Sequence, residues 1–135
     1  REKASFLREN IFPIQEAGHL NFVESSKNIF SNFDALFVNG HTEAQMIPYI
    51  TYKEKTIVFA ADLLPSTGHI PLPYIMAYDT RPLLTLTEKE KFLKEAAEKE
   101  HIIFLQHDNH SECCTVKQTD RGVRLKETFK LRDIL

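Results

Sequence analysis

Three short apolar runs in this chain are each followed by a side chain that can hold a proton or a cation. Phe37-Val38 leads to His41, Val58-Phe59-Ala60-Ala61 leads to Asp62, and Phe104-Leu105 leads to His107-Asp108. Strand ends are good places for binding groups, because the strand fixes the backbone while the side chain leaves the core. Imidazole and carboxylate are also the ligand types of hydrolytic zinc sites, where the metal brings a bound water's pKa to about 7 and supplies hydroxide at neutral pH. A single His beside a strand is more simply a surface or core imidazole, and the chain has six. The three could converge at one rim, where they would offer a metal two imidazoles and a carboxylate.

Other groups invite chemistry less strongly. His107, His110 and Cys113 are spaced for a separate zinc site with Asp108, but a closed site wants four ligands in a known spacing, and a polar loop ahead of a buried cysteine is the better reading. Cys113 and Cys114 are adjacent, so on a strand they face opposite ways; a disulfide between them is excluded and inert packing is expected. That fits a reducing, cytoplasmic setting. His69 lies in the loop after Asp62, either on the substrate side of a site or as an exposed imidazole. Tyr74 and Tyr78, with Asp79, either line a pocket with phenolic donors or pack that loop on the core.

Positioning these residues requires particular elements. Arg1 to Asn10 reads as a short helix, with Pro13 beginning a second turn that ends near Gly18. Short strand-like runs follow at Asn21–Glu24, Asn28–Phe30 and Ala35–Val38, the last punctuated by Asn39-Gly40. Met46–Tyr52 and Thr56–Ala61 read as strands joined by a tight turn at Lys53-Glu54-Lys55. Four prolines and Gly68 make Leu63–Pro82 a long loop, with Tyr74–Tyr78 able to form a helical turn or two. Thr87 and Glu90 have the form of a capping box, and Phe92, Leu93, Ala96 and Ala97 form the apolar stripe of a helix ending near Glu100, its Lys and Glu residues solvated. Ile102–Leu105, Cys113–Gln118 and Val123–Phe129 complete the strands, the last two as a hairpin. Phe6, Phe12, Phe22, Phe30 and Phe33 read as core, with a large buried interface at the N-terminal end.

The composition is that of one globular domain over residues 1–135: 42% hydrophobic and 27% charged. Seventeen Lys and Arg against nineteen Asp and Glu leave a net charge of -2, so no basic field exists for nucleic acid. No apolar run approaches the roughly 20 residues of a membrane helix, so no membrane span is predicted. The chain begins at Arg1 without Met or a signal pattern, as expected of a processed product or a piece of something longer.

Taken together, Asn39-Gly40-His41-Thr42, the run Thr56 to Pro65 that contains Asp62, and Leu105-Gln106-His107-Asp108 resemble, in order and approximate spacing, the C-terminal half of the metallo-β-lactamase-fold hydrolases. The resemblance covers the chain from about Phe33 onward. It implies an α+β fold, half of an αββα sandwich, with a mainly antiparallel or mixed sheet and flanking helices. By position, His41 matches a ligand of the first metal, Asp62 the bridging carboxylate and His107 a ligand of the second. Beside these, Asp108 reads as a supporting residue that orients His107 or a neighbouring backbone group, and Thr42, next to His41, as another. The family's His-x-His-x-Asp-His motif does not occur here, and Glu43-Ala44-Gln45 stands where Pro-Gly is frequent.

What the resemblance implies for function is a parent enzyme holding two zinc ions, with iron or manganese as other options, in which metal-bound hydroxide attacks an ester, thioester, lactone or amide of a small molecule. This chain alone, short of ligands, is expected to be inactive. A half-sandwich would leave one sheet face apolar, so a homo-oligomer or a missing N-terminal half is expected to cover it. The reading from another class is a non-catalytic interaction module that oligomerises through that face.

Overall fold

The computed structural model describes residues 6–134, so the expected helical residues before Phe6 lie outside it. Its centre is one six-stranded sheet with strands β1 (Phe33–Val38), β2 (Gln45–Tyr52), β3 (Lys55–Phe59), β4 (Ile102–Phe104), β5 (Cys113–Thr119) and β6 (Gly122–Phe129). The strands lie in sequence order; β3 and β4 pair in parallel and every other neighbouring pair is antiparallel. A parallel pair needs a long crossover, supplied here by the loop after β3 and helix α2 (Pro82–Glu98). The architecture is α+β with a mixed sheet.

The pleat sorts the strands into two faces. Register puts Leu36 beside Ile47, Tyr49 beside Val58, and Val58, Ile103 and Cys114 in one row. This face forms the core with Phe92, Leu93 and Ala96 of α2. The other face carries Phe37 beside Met46, Ala35 beside Pro48, and Phe59 beside Phe104. Of these only Ala35 is buried; the others are partly exposed. Helix α2 packs on the core face, against β5 and β6. Among the described residues, no helix is long and apolar enough to cross a membrane.

Several sequence expectations need correction. Helix α1 spans Arg8–Glu16 and continues through Pro13, although a proline at the sixth helical position removes one intrahelical hydrogen bond. Gly18, at φ 72°, ends it with bonds from Gly18 N to Gln15 O and from His19 N to Ile14 O. Residues 21–29 form no strand; Phe30 makes only an isolated bridge to Phe33. Phe6, Phe12, Phe22 and Phe30 are exposed rather than core, Phe22 to 86%, and α1 buries no residue.

Helix α2 begins at Pro82, five residues before the expected cap. Proline at the first helical position needs no partner for its missing N–H, and the Thr87 hydroxyl donates back to Leu83 O instead of capping. Tyr74–Tyr78 is not helical, while Thr67–His69 forms one 3-10 turn.

Candidate functional site

Antiparallel β1–β2 and β2–β3 followed by parallel β3–β4 make β1, β3 and β4 run in the same direction. The residues that follow them therefore leave the sheet at one rim, and that rim holds His41, Asp62 and His107. Asp62 stands between the two imidazoles, with Oδ1 3.1 Å from His107 Nε2 and Oδ2 3.6 Å from His41 Nε2. Gln45, at the start of β2 on the same rim, donates from Nε2 to Asp62 Oδ2 at 3.4 Å. The sequence expectation that these three side chains share an edge matches the coordinates; their role as metal ligands is a separate matter.

Each member is positioned by identifiable local chemistry. Asp62 leaves β3 through Ala61, whose φ of 44° is left-handed backbone that an alanine rarely adopts. Ala60 N donates to Phe104 O and Leu63 N to Ala60 O, locking that turn onto β4. The backbone of His107 donates to Pro65 O, which ties the His107 loop to the segment after Asp62.

His41 is the most constrained. Its loop presents the Asn39 and Gly40 amides to the Glu88 carboxylate of α2, at 2.8 and 2.9 Å. The carbonyls of Gly40 and His41 accept from the amides of Arg81 and Thr80 at 2.8 and 3.2 Å, and the Thr80 hydroxyl donates to both. Gly40 is required by close approach: a Cβ there would lie 2.4 Å from the Thr85 backbone nitrogen. The His41 ring is held by Asp79, whose Oδ1 is 2.8 Å from Nδ1 and whose side chain is fully buried. Tyr78 meets the same ring edge-on, with centroids 6.1 Å apart, while remaining 68% exposed.

The remaining predicted residues fall less centrally. The ring of His41 bonds to Asp79, and its carbonyl accepts from Thr80. Of the two supporting roles expected of Asp108, the coordinates show the one toward neighbouring backbone: it accepts from the Thr67 amide and hydroxyl and from the amides of His110 and Ser111. Burial alone would push its carboxyl up, but these four donors outweigh that and hold it well below the usual carboxylate range. His69 is hydrogen-bonded to Ser66 Oγ at 2.8 Å; burial, then the charge of Lys89, lowers its pKa against the pull of Asp79. Tyr74 is 61% exposed, so its phenol lies toward solvent.

Sequence reasoning missed the scaffold behind the site. Lys89, read as part of a solvated face, is buried, and its ammonium donates to the carbonyls of His69, Pro71 and Tyr74. Burial pulls its pKa down to about 8, against the favourable charge of Asp79, which leaves it mainly cationic at neutral pH. The usable signal was Pro82, which marks a helix start close enough to the loop for Thr85, Glu88 and Lys89 to face inward. Cys113 and Cys114 are free and buried, and burial pushes their thiols up to about 11 and about 12, a state without nucleophilic character at neutral pH.

For a divalent cation the donor chemistry at the rim fits in part. Two imidazole nitrogens flank a carboxylate whose two oxygens face different partners, and His41 carries the buried carboxylate support usual behind a ligating imidazole. Among the described residues, however, no group of three or more His, Cys, Asp and Glu is arranged to hold a metal ion by itself.

No protein-family model and no curated protein matches the sequence. Solved structures do. The dizinc quorum-quenching lactonase AidC, in complex with the product N-hexanoyl-L-homoserine, matches with a TM-score of 0.73 and 25% identity over 95% of this chain and 47% of that chain. The hydrolase AbOPH of the β-lactamase superfamily matches with a TM-score of 0.76 and 19% identity over 89% of this chain and 42% of that one. A probable metal-dependent hydrolase from Staphylococcus aureus gives 0.68 and 22% over 84% and 42%. The chain spans less than half the length of each. It is folded as a part of the metallo-β-lactamase architecture that these hydrolases share.

Proposed function

We propose that this chain is the C-terminal part of a metallo-β-lactamase-superfamily hydrolase, to whose dinuclear zinc site it contributes His41, Asp62 and His107, and that by itself it is inactive. The observation that carries this reading is the Asp62 carboxylate standing between two imidazoles, 3.1 and 3.6 Å away, each held by a different strand end. Zinc, or iron or manganese in its place, would supply Lewis acidity and an activated water.

The residues of this chain do the rest. Asp62 directs one oxygen toward each imidazole, as a bridging carboxylate must. Asp79 holds His41 by its Nδ1, leaving Nε2 toward the rim. Tyr78, exposed beside the His41 ring, would offer a phenolic donor to the carbonyl of a small ester, thioester, lactone or amide. The product named for AidC makes a lactone the first substrate to try. A catalytic zinc usually needs three protein ligands besides water, and this chain offers each cation one imidazole and a share of one carboxylate.

A second reading is favoured by the sheet face opposite α2. Phe37, Met46, Pro48, Ile57, Phe59 and Phe104 form a partly exposed apolar surface there, which suits a covering layer from a second copy or from an N-terminal half. The two readings separate by experiment. Zinc content and lactone or ester hydrolysis are measured on the chain alone and on the chain supplied with an N-terminal half bearing His-x-His-x-Asp-His. The enzyme reading predicts turnover and about two zinc ions only for the combined protein. Assembly into oligomers without zinc or turnover in either sample supports the interaction module.

A further inference from the structure

We propose that Asp79 is a positioning residue that sets the tautomer of His41, placing the ring proton on Nδ1 and leaving the Nε2 lone pair directed at the rim before any cation arrives. The proposal rests on the metal reading of His41 for its purpose, though its geometry stands alone. Asp79 Oδ1 is 2.8 Å from Nδ1, with the aspartate side chain fully buried. A carboxylate only accepts hydrogen bonds, so this contact requires the proton to sit on Nδ1. At the other nitrogen, Asp62 Oδ2 is 3.6 Å from Nε2, beyond hydrogen-bond reach, so that carboxylate does not compete for the proton.

The acceptor and the ring belong to one unit. Tyr78 packs against the His41 ring, Asp79 bonds its Nδ1, Thr80 bonds its carbonyl through amide and hydroxyl, and Arg81 N bonds the carbonyl of Gly40. Four consecutive residues thus fix both the backbone and the ring orientation of a residue 38 positions upstream of Asp79. A ring so held cannot flip to exchange its two nitrogens without breaking the Asp79 bond. The remaining oxygen, Asp79 Oδ2, is buried with no hydrogen-bond partner. The carboxylate is therefore anchored through His41 alone among the hydrogen bonds of the described residues, which couples the two side chains closely.

The test uses the full chain, labelled with nitrogen-15 at histidine and free of metal, and reads the two-bond ring correlations. The expected result for His41 is a protonated Nδ1 and an unprotonated Nε2. In Asp79→Ala this pattern is lost toward the Nε2–H form that a free imidazole favours, and Asp79→Asn, whose amide oxygen still accepts, retains it in part. A wild-type His41 protonated at Nε2 overturns the proposal, as does an unchanged pattern in a folded Asp79→Ala chain. If Asp79→Ala does not fold, the wild-type spectrum and Asp79→Asn decide. Adding zinc separates this proposal from the reading beneath it. A zinc-dependent shift of His41 Nε2 whose apparent affinity falls roughly tenfold or more in Asp79→Asn supports both, whereas the expected tautomer with no His41 response to zinc even in the chain supplied with an N-terminal half bearing His-x-His-x-Asp-His sinks only the metal role.

Discussion

Asp62 Oδ1 lies 3.1 Å from His107 Nε2 although 45 residues separate them in sequence. The contact follows from topology: β3 and β4 are parallel neighbours, so the loops that leave their ends start side by side. His41 joins them because β1 runs in the same direction two strands away. A rim built this way is rigid to the extent that its loops are pinned, and the predictions below address the pins.

Replacing Gly40 by alanine should destabilise the chain by about 2–3 kcal/mol, as for overpacking in a filled site. The new methyl would meet backbone atoms of Thr85, which cannot step aside without moving the first turn of α2. Urea denaturation measures the loss, and the His41 ring signals should shift with it.

Lys89→Met should cost about 2–3 kcal/mol, because three carbonyls lose a buried charged donor. The loss should be local before it is global. Limited proteolysis should cut the loop between His69 and Tyr74 faster in the variant, while a charge-preserving Lys89→Arg, too large for the same pocket, should recover little.

Asp108→Asn should remove a source of acid sensitivity. The folded pKa of Asp108 lies below its unfolded value of about 3.9, so its contribution is full above that value and fades as pH falls through the folded one. At neutral pH the substitution should lower stability by about 2 kcal/mol through weaker bonds to Thr67, His110 and Ser111. Denaturation at a series of pH values should find the variant's acid limb flatter than that of the wild type.

His101 titrates in the opposite sense to a salt-bridged histidine. Burial lowers its pKa, with Glu95 opposing and Lys99 adding, so the unfolded chain binds more protons below about 6.5. Stability should therefore fall as pH drops from about 6.5 toward the folded value, and His69, lowered in the same direction, should add to the slope. His101→Gln should reduce that slope without removing it.

The sheet and the rim that gathers His41, Asp62 and His107 were legible because their signals are local. Apolar runs bounded by turns gave β2 to β6 within a few residues, and a polar residue after each run marked the rim. The supports were hidden because they depend on apposition. Glu88 and Lys89 look like ordinary helix-surface charges until α2 is laid against residues 39–40 and 69–74, contacts spanning 15 to 49 residues. Asp79 has no periodicity to reveal it, and Thr42 drew notice only through adjacency to His41, whereas Thr80 reaches the same backbone from another loop. The phenylalanines before residue 31 misled for a related reason: apolar type alone suggested a core, but Phe22 and Phe30 stay exposed, although the Phe30 ring meets that of Phe33 edge-on.

The central claim, that His41, Asp62 and His107 are this chain's share of a cation site, is tested most directly by titrating zinc into the histidine-labelled chain. The account predicts that the Nε2 signals of His41 and His107 shift together, weakly and with high zinc concentration, that the other histidines respond less, and that Asp62→Asn abolishes the joint response. Zinc shifts confined to other histidines, or a joint shift that survives Asp62→Asn, would contradict it.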